Sequence, residues 1–224
     1  MKYKAVIFDL DGTLLNTLED LTDSVNHVLK EAGYPTRTIE EVCSFVGNGI
    51  RKLIERSVPE NTTLENIDTI HKNFIAYYGE HCMEKTKPYD GIMELLHTLQ
   101  KTGCKIAVVS NKADYAVQIL CDKYFNNLFD AALGEQTGTP KKPAKDSVYK
   151  VLNMLQVSPS ESVYVGDSDV DILTARNSNM DEIIVDWGFR DRTYLEEQGA
   201  KVIVSNPNEL LNLICNGSES SKIL

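Results

Sequence analysis

The chain has 224 residues, 42% of them hydrophobic, with a formal net charge of −10. That is enough apolar material for one large core or two smaller ones, and it excludes disorder over most of the length. The acidic balance, with no Lys/Arg-rich stretch, argues against a nucleic-acid partner, so an anionic substrate needs local positive charge to hold it.

The first element is Ala5-Val6-Ile7-Phe8, a short apolar run that reads as a buried parallel strand. It ends in Asp9-Leu10-Asp11-Gly12-Thr13: two carboxylates, a glycine and a hydroxyl. Residues two apart on an extended chain point the same way, so Asp9 and Asp11 can face one site beyond the carboxyl edge of a sheet, where open α/β sheets bind ligands. Gly12 permits a sharp turn that aims N–H groups at an anion. Two carboxylates this close both stay ionised only with a cation between them; otherwise one keeps its proton. A metal site, a nucleophile beside a general acid and base, and a plain solvated turn are all open on this stretch alone.

Leu18, Leu21, Val25, Val28, Leu29 and Ala32 then recur at helical spacing, behind a Thr17/Asp20 capping box and ahead of Gly33. A short helix is expected from Thr38, boxed by Glu41, a third around Ile50, Leu53 and Ile54, and a longer fourth from about Thr63 to Cys82. At Lys87-Pro88-Tyr89-Asp90-Gly91 the pattern changes to strands alternating with helices. Strands are expected at Lys105–Val109, Ala131–Leu133, Ser162–Val165, Glu182–Val185 and Lys201–Val204. Helices are expected near Asp90–Thr102, Ala113–Phe125, Lys145–Leu155, Val170–Asn177 and Pro207–Cys215. The expected class is α/β: a doubly wound parallel sheet, a Rossmann-like core of residues 1–15 and 85–224, with 16–84 inserted as a small α-helical cap domain. The tail from Asn216 is expected to fray. The five cysteines show no Cys-x-x-Cys spacing, no signal-peptide pattern opens the chain and no apolar run is long enough to span a bilayer. The expectation is a cytoplasmic protein with reduced thiols and no membrane partner.

Three later strand ends carry polar groups. Ser110-Asn111-Lys112 offers a hydroxyl and an amide where a phosphate can bind, although Ser-Asn also caps helices. Lys141 and Lys142 stand in a proline-flanked loop, Thr139-Pro140-Lys141-Lys142-Pro143. Asp167-Ser168-Asp169-Val170-Asp171 follows an apolar strand directly. A calcium loop of EF-hand type is excluded, because Ile172 and Ser178 stand where it needs glycine and glutamate. An acidic helix N-cap and an oxygen-only site suited to magnesium both stay open. Gly47-Asn48-Gly49 lacks the third glycine of a dinucleotide loop, and no P-loop sequence occurs.

Taken in order, the four strand-end motifs and the helical insertion resemble the haloacid dehalogenase superfamily of phosphohydrolases over nearly the whole chain. The resemblance implies that Asp9 is a nucleophile that becomes phosphorylated and that Asp11 is the general acid and base. It places Ser110 and Lys142 on the phosphoryl oxygens, with Thr13 and Asn111 alongside as substrate-binding residues. Magnesium would rest on Asp9, the backbone carbonyl of Asp11, and Asp167, with Asp171 as an outer support. Phe45-Val46-Gly47-Asn48-Gly49-Ile50, Lys87-Pro88-Tyr89-Asp90-Gly91, Ser110-Asn111-Lys112 and Trp187-Gly188-Phe189-Arg190 are similar to bacterial phosphoglycolate phosphatases, which implies a small phosphorylated metabolite as substrate. Asn177-Ser178-Asn179-Met180 departs from the Ala-Gly that usually precedes the methionine. Asn48, Arg51 and Lys52, at the start of the third helix, either read a carboxylate on the leaving group or merely solvate the outer face of the cap. The alternatives are a broad-range sugar-phosphate or pyrophosphate phosphatase and a phosphomutase, for which His27, Lys52 and His71 are the candidate proton carriers.

Overall fold

The computed structural model describes residues 1–216, so the expected fraying of the tail falls on residues outside the described ones. A six-stranded sheet runs from edge to edge through Ala131–Glu135 (β5), Lys105–Ala113 (β4), Ala5–Phe8 (β1), Ser162–Gly166 (β6), Asp181–Val185 (β7) and Ile203–Val204 (β8). Every pairing is parallel. All four residues of β1 are buried, which is why the run is apolar without alternation. Its side chains still divide between two faces. Val6 and Phe8 join Leu95, Leu96 and Leu99 of α5 (Ile92–Lys101) and Leu210 and Ile214 of α10 (Pro207–Asn216). Ala5 and Ile7 instead meet Val148, Val151 and Leu152 of α7 (Asp146–Leu155). The connections α6 (Asp114–Phe125), α8 (Asp169–Asn177) and α9 (Arg192–Glu197) complete the winding. From β1 the chain moves outward through β4 to β5, then crosses back to β6 on the other side, so the sheet reverses direction beside β1. Open sheets place their ligand crevice at such a reversal.

Between β1 and α5 lie four helices, α1 (Leu18–Glu31), α2 (Ile39–Phe45), α3 (Ile50–Ser57) and α4 (Leu64–His81). The Thr38/Glu41 capping box forms, and Thr63 caps α4 by accepting from the Asn66 N–H. The expected Thr17/Asp20 box does not form, because both side chains have longer-range partners. Thr17 Oγ1 donates to Asp11 at 2.8 Å, while the buried Asp20 carboxylate accepts the N–H groups of Lys85 and Thr86 at 2.9 and 2.8 Å. The two crossings of the chain also pair with each other, Leu15–Asn16 (β2) antiparallel to Lys87–Pro88 (β3). Two-residue strands carry no periodicity, and the sequence pattern missed both; it also missed the six-residue α9. β4 runs on to Ala113 through an irregularity after Val109, so Ser110, Asn111 and Lys112 are buried strand residues and not a loop. The cysteines are free thiols. No helix among the described residues is long and apolar enough to cross a membrane.

Candidate active site

The carboxyl ends of β1, β4 and β6 converge on a cavity of about 60 Å³. Asp9, Asp11, Ser110, Asn111, Lys112 and Asp167 form its floor, and Leu21, Val46, Gly47, Gly49, Ile50, Leu53 and Tyr78 of the helical block form its roof. Phe189 and Arg190, from the loop after β7, close one side.

Asp9 caps β1, its N–H donating to Val165 O of β6 at 2.8 Å. Its Oδ1 accepts the Leu10 N–H at 2.7 Å and lies 2.9 Å from Lys142 Nζ. No partner among the described residues engages Oδ2. Gly12 has φ +85°, and a Cβ there would fall on the Asp167 carboxylate. A Cβ on Gly188 would fall on Asp167 and on the Gly12 carbonyl, so both positions need the bare backbone. Asp167 is held by the Phe189 N–H at 2.8 Å and by Thr13 Oγ1 at 3.0 Å. Thr13, expected on substrate, thus orients Asp167 and does not line the cavity.

Asp171 closes the α8 capping box with Ser168 and accepts from the Asp167 and Ser168 N–H groups, Ser168 Oγ, Tyr164 Oη and Lys142 Nζ. Its carboxylate is saturated with protein donors. Lys142 Nζ lies 2.8 Å from Asp171 Oδ1, and its backbone is clamped from both sides by Asn111: the Lys142 N–H donates to Asn111 Oδ1 at 2.8 Å, and Asn111 Nδ2 donates to Lys142 O at 3.0 Å. Asn111 Nδ2 also donates to Gly47 O of the helical block. Its amide is held by protein partners, so Asn111 positions Lys142 as well as lining the cavity. Ser110 Oγ accepts the Lys112 N–H and faces the cavity.

Asp11 turns its carboxylate away from this cluster. It accepts from Thr17 Oγ1 and from Lys112 Nζ, at 2.9 Å to Oδ1, and the same ammonium donates to Tyr78 Oη of α4 at 2.6 Å. The residues of the Gly47–Lys52 stretch divide. Gly47, Gly49 and Ile50 reach the cavity. Asn48 instead accepts from Arg56, Arg51 pairs with Glu55 and Asp68, and Lys52 pairs with Glu55 on an exposed face. Asn48 and Arg51, expected on substrate, are held by these partners and do not line the cavity.

Oxygens of Asp9, Asp167 and Asp171 approach within 4.8 Å of one another. Burial pushes Asp9 up to about 7, against the opposing pull of Lys142. Burial, then Asp171 and Asp9, hold Asp167 well above the ordinary carboxylate range. Burial opposes the charge on Lys142 too, but Asp171 and Asp9 outweigh it and keep the ammonium protonated. With all three ionised, Asp9, Asp167 and Asp171 meet one ammonium, Lys142, a deficit of two charges that a divalent cation matches. With Asp171 saturated, Asp9 and Asp167 are the carboxylates left to hold it, so the donor set fits a hard metal. Sequence reasoning missed Lys112, Tyr78 and Arg190. Lys112 directly follows two residues it had singled out, and Arg190 closes a stretch it had quoted; Tyr78 carries no signal beyond its place in an aromatic helix.

Comparison with known proteins agrees with this geometry. The profile of the haloacid dehalogenase-like hydrolases matches residues 6–185, from β1 to the end of β7. The chain is 30% identical to the phosphoglycolate phosphatase of Aquifex aeolicus, over 95% of this chain and 97% of that one. It is 33% identical to the phosphoglycolate phosphatase of Agrobacterium fabrum, over 88% and 86%. The crystal structure of a phosphoglycolate phosphatase candidate from Lactobacillus delbrueckii subsp. bulgaricus superposes with a TM-score of 0.91 at 40% identity, covering 96% of this chain and 99% of that one. With its strand-end carboxylates, its buried lysine and the matched profile all on one sheet edge, the chain belongs to the haloacid dehalogenase-like hydrolase family.

Proposed function

We propose that the chain is a magnesium-dependent phosphatase that hydrolyses a small phosphorylated metabolite through a phosphoryl group carried on Asp9, with phosphoglycolate, the substrate in its relatives' names, as the leading substrate. The observation that carries this reading is the unequal use of the two Asp9 oxygens: Oδ1 is tied to Lys142 and the Leu10 N–H, which leaves Oδ2 as the nucleophile. Asp9 Oδ2 bonds to phosphorus as the ester oxygen leaves, and Asp11 gives that oxygen a proton. Water then attacks phosphorus, Asp11 takes its proton, and the bond to Asp9 breaks to release inorganic phosphate. Lys142 and Ser110 hold the phosphoryl oxygens. Magnesium, held by Asp9 and Asp167, supplies neutralisation of the carboxylates and of the phosphoryl charge.

Residues 16–84 serve as a cap over a core of 1–15 and 85–224, and the small cavity between them suits a small leaving group. A phosphomutase needs a proton carrier over the phosphoryl, and none of His27, Lys52 or His71 lines the cavity. Phosphate release from a panel of esters and pyrophosphate, with magnesium and with chelator, tests the reading. The expected result is the highest kcat/KM for phosphoglycolate, loss of turnover on chelation, and no phosphoenzyme in Asp9→Asn. Full turnover after exhaustive chelation removes the metal, and a phosphoenzyme on another residue removes Asp9. A clear preference for sugar phosphates or pyrophosphate removes the substrate assignment.

A further inference from the structure

We infer that Lys112 and Tyr78 form the subsite that reads an anionic group on the leaving portion of the substrate, a carboxylate in a phosphoglycolate-like ester; this rests on the phosphatase reading above.

The first support is the fate of the other cations near the cavity. Lys142 is spent on Asp9 and Asp171. Arg190 is spent on backbone carbonyls, donating to Cys43 O at 2.7 Å and Val46 O at 2.9 Å. Arg51 and Lys52 pair with acids outside the cavity. Lys112 is then the remaining cationic side chain among the described residues that line the cavity, with its side chain only 3% exposed. Its ammonium meets Asp11 Oδ1 at 2.9 Å and Tyr78 Oη at 2.6 Å, with Asp11 Oδ2 a longer contact at 3.2 Å, the one that a substrate carboxylate would replace.

Tyr78 supplies the second support. Its hydroxyl accepts from Lys112, so its own proton must point elsewhere, and no described residue accepts it. The side chain is fully buried, and burial keeps the phenol protonated. A buried donor with no acceptor is costly, and here it stands beside an ammonium at the cavity wall. Together they make a two-point site for a carboxylate.

Position agrees with this pairing. The leaving oxygen takes its proton from Asp11, so it sits within hydrogen-bond reach of that carboxylate. Lys112 Nζ is 2.9 Å from the same carboxylate. The carboxylate of a glycolate leaving group begins only two bonds beyond its ester oxygen, so it falls beside Lys112. Leu21, Ile50 and Leu53 make the neighbouring roof apolar and offer it no competing polar partner.

The test compares phosphoglycolate with 2-hydroxyethyl phosphate, which keeps the chain length and lacks the carboxylate. The readout is the ratio of the two kcat/KM values, in which any loss through displacement of Asp11 cancels. In Lys112→Met the ratio should fall at least about tenfold, the scale of one charge-assisted hydrogen bond. In Tyr78→Phe, which keeps the ring stacked on Phe74 at 5.3 Å, it should fall about threefold or more. If both rates drop together and the ratio holds, Lys112 only orders Asp11 and the inference is overturned. If Lys112→Met fails to fold, an unchanged ratio in Tyr78→Phe overturns it equally. A wild-type enzyme that prefers phosphoglycolate, with the ratio intact in the variants, removes this inference alone. A wild-type enzyme indifferent to the carboxylate removes the phosphoglycolate assignment as well.

Discussion

Asp9 stands where burial and function pull in opposite directions, and the metal-free protein should record that conflict as a pH dependence of stability. Its acidity constant lies at about 7 in the folded chain against an ordinary value of 3.8, so between those limits the folded state binds more protons than the unfolded. The contribution is fully present below about pH 4 and is lost as pH rises through 7; Asp167 shifts in the same direction. In chelator, the melting temperature should therefore fall from about pH 5 to pH 8, with a shallower slope in Asp9→Asn, and magnesium should raise it more at pH 8 than at pH 5. Calorimetry across that range checks the sign; a metal-free protein that gains stability with rising pH contradicts it. Asp11→Asn should lower kcat by about 10²–10⁴-fold through lost proton transfer, with KM little changed, as steady-state kinetics will report. Asp9, Asp11 and Asp167 stand out in the sequence because each is a charged residue at or near the end of an apolar strand, whereas Lys142 sits in a proline-flanked loop and is singled out only through the family resemblance. For Thr13 and Asn111 the sequence does not disclose the protein partners, Asp167 in one case and the Lys142 backbone in the other.

At the scale of elements, the contacts that hold the cap to the core come from helix ends and crossings. The Asp20 carboxylate, in the first turn of α1, takes two backbone N–H groups from the return crossing. Asp20→Ala leaves the buried Thr86 amide and the part-buried Lys85 amide without that acceptor and should cost about 2–4 kcal/mol, read from denaturant unfolding. Gly188→Ala sets a methyl against Asp167 and the Gly12 carbonyl, atoms that cannot swing aside. It should weaken magnesium binding by an order of magnitude or more in titration calorimetry. The helices of the inserted block were readable from their apolar spacing and caps, Thr38 with Glu41 and Thr63 among them, because those signals are local. Thr17 and Asp20 show the same lettering, yet their partners lie across the fold and no local rule selects between the two uses.

Across the whole molecule, the helical block and the sheet share an apolar cluster, and polar contacts made over the cavity join them as well. Arg190 holds the carbonyls at the end of α2, Asn111 reaches Gly47, and Lys112 reaches Tyr78. Arg190→Ala should speed amide hydrogen exchange in residues 43–49 and raise KM several-fold with a smaller change in kcat; exchange unchanged in that segment would show that the arginine is not what restrains it. The two crossings carry a mechanical consequence. A block tethered by one strand can spin as well as tilt, like a lamp on a cord. Here Leu15–Asn16 and Lys87–Pro88 are laced into a ribbon and stitched again by Asp20, so rotation about either strand is resisted by its neighbour. Any swing of the block would then be a swing about the ribbon, the motion of a door on a pin, and would return Tyr78 to the same place beside Lys112 and Asp11.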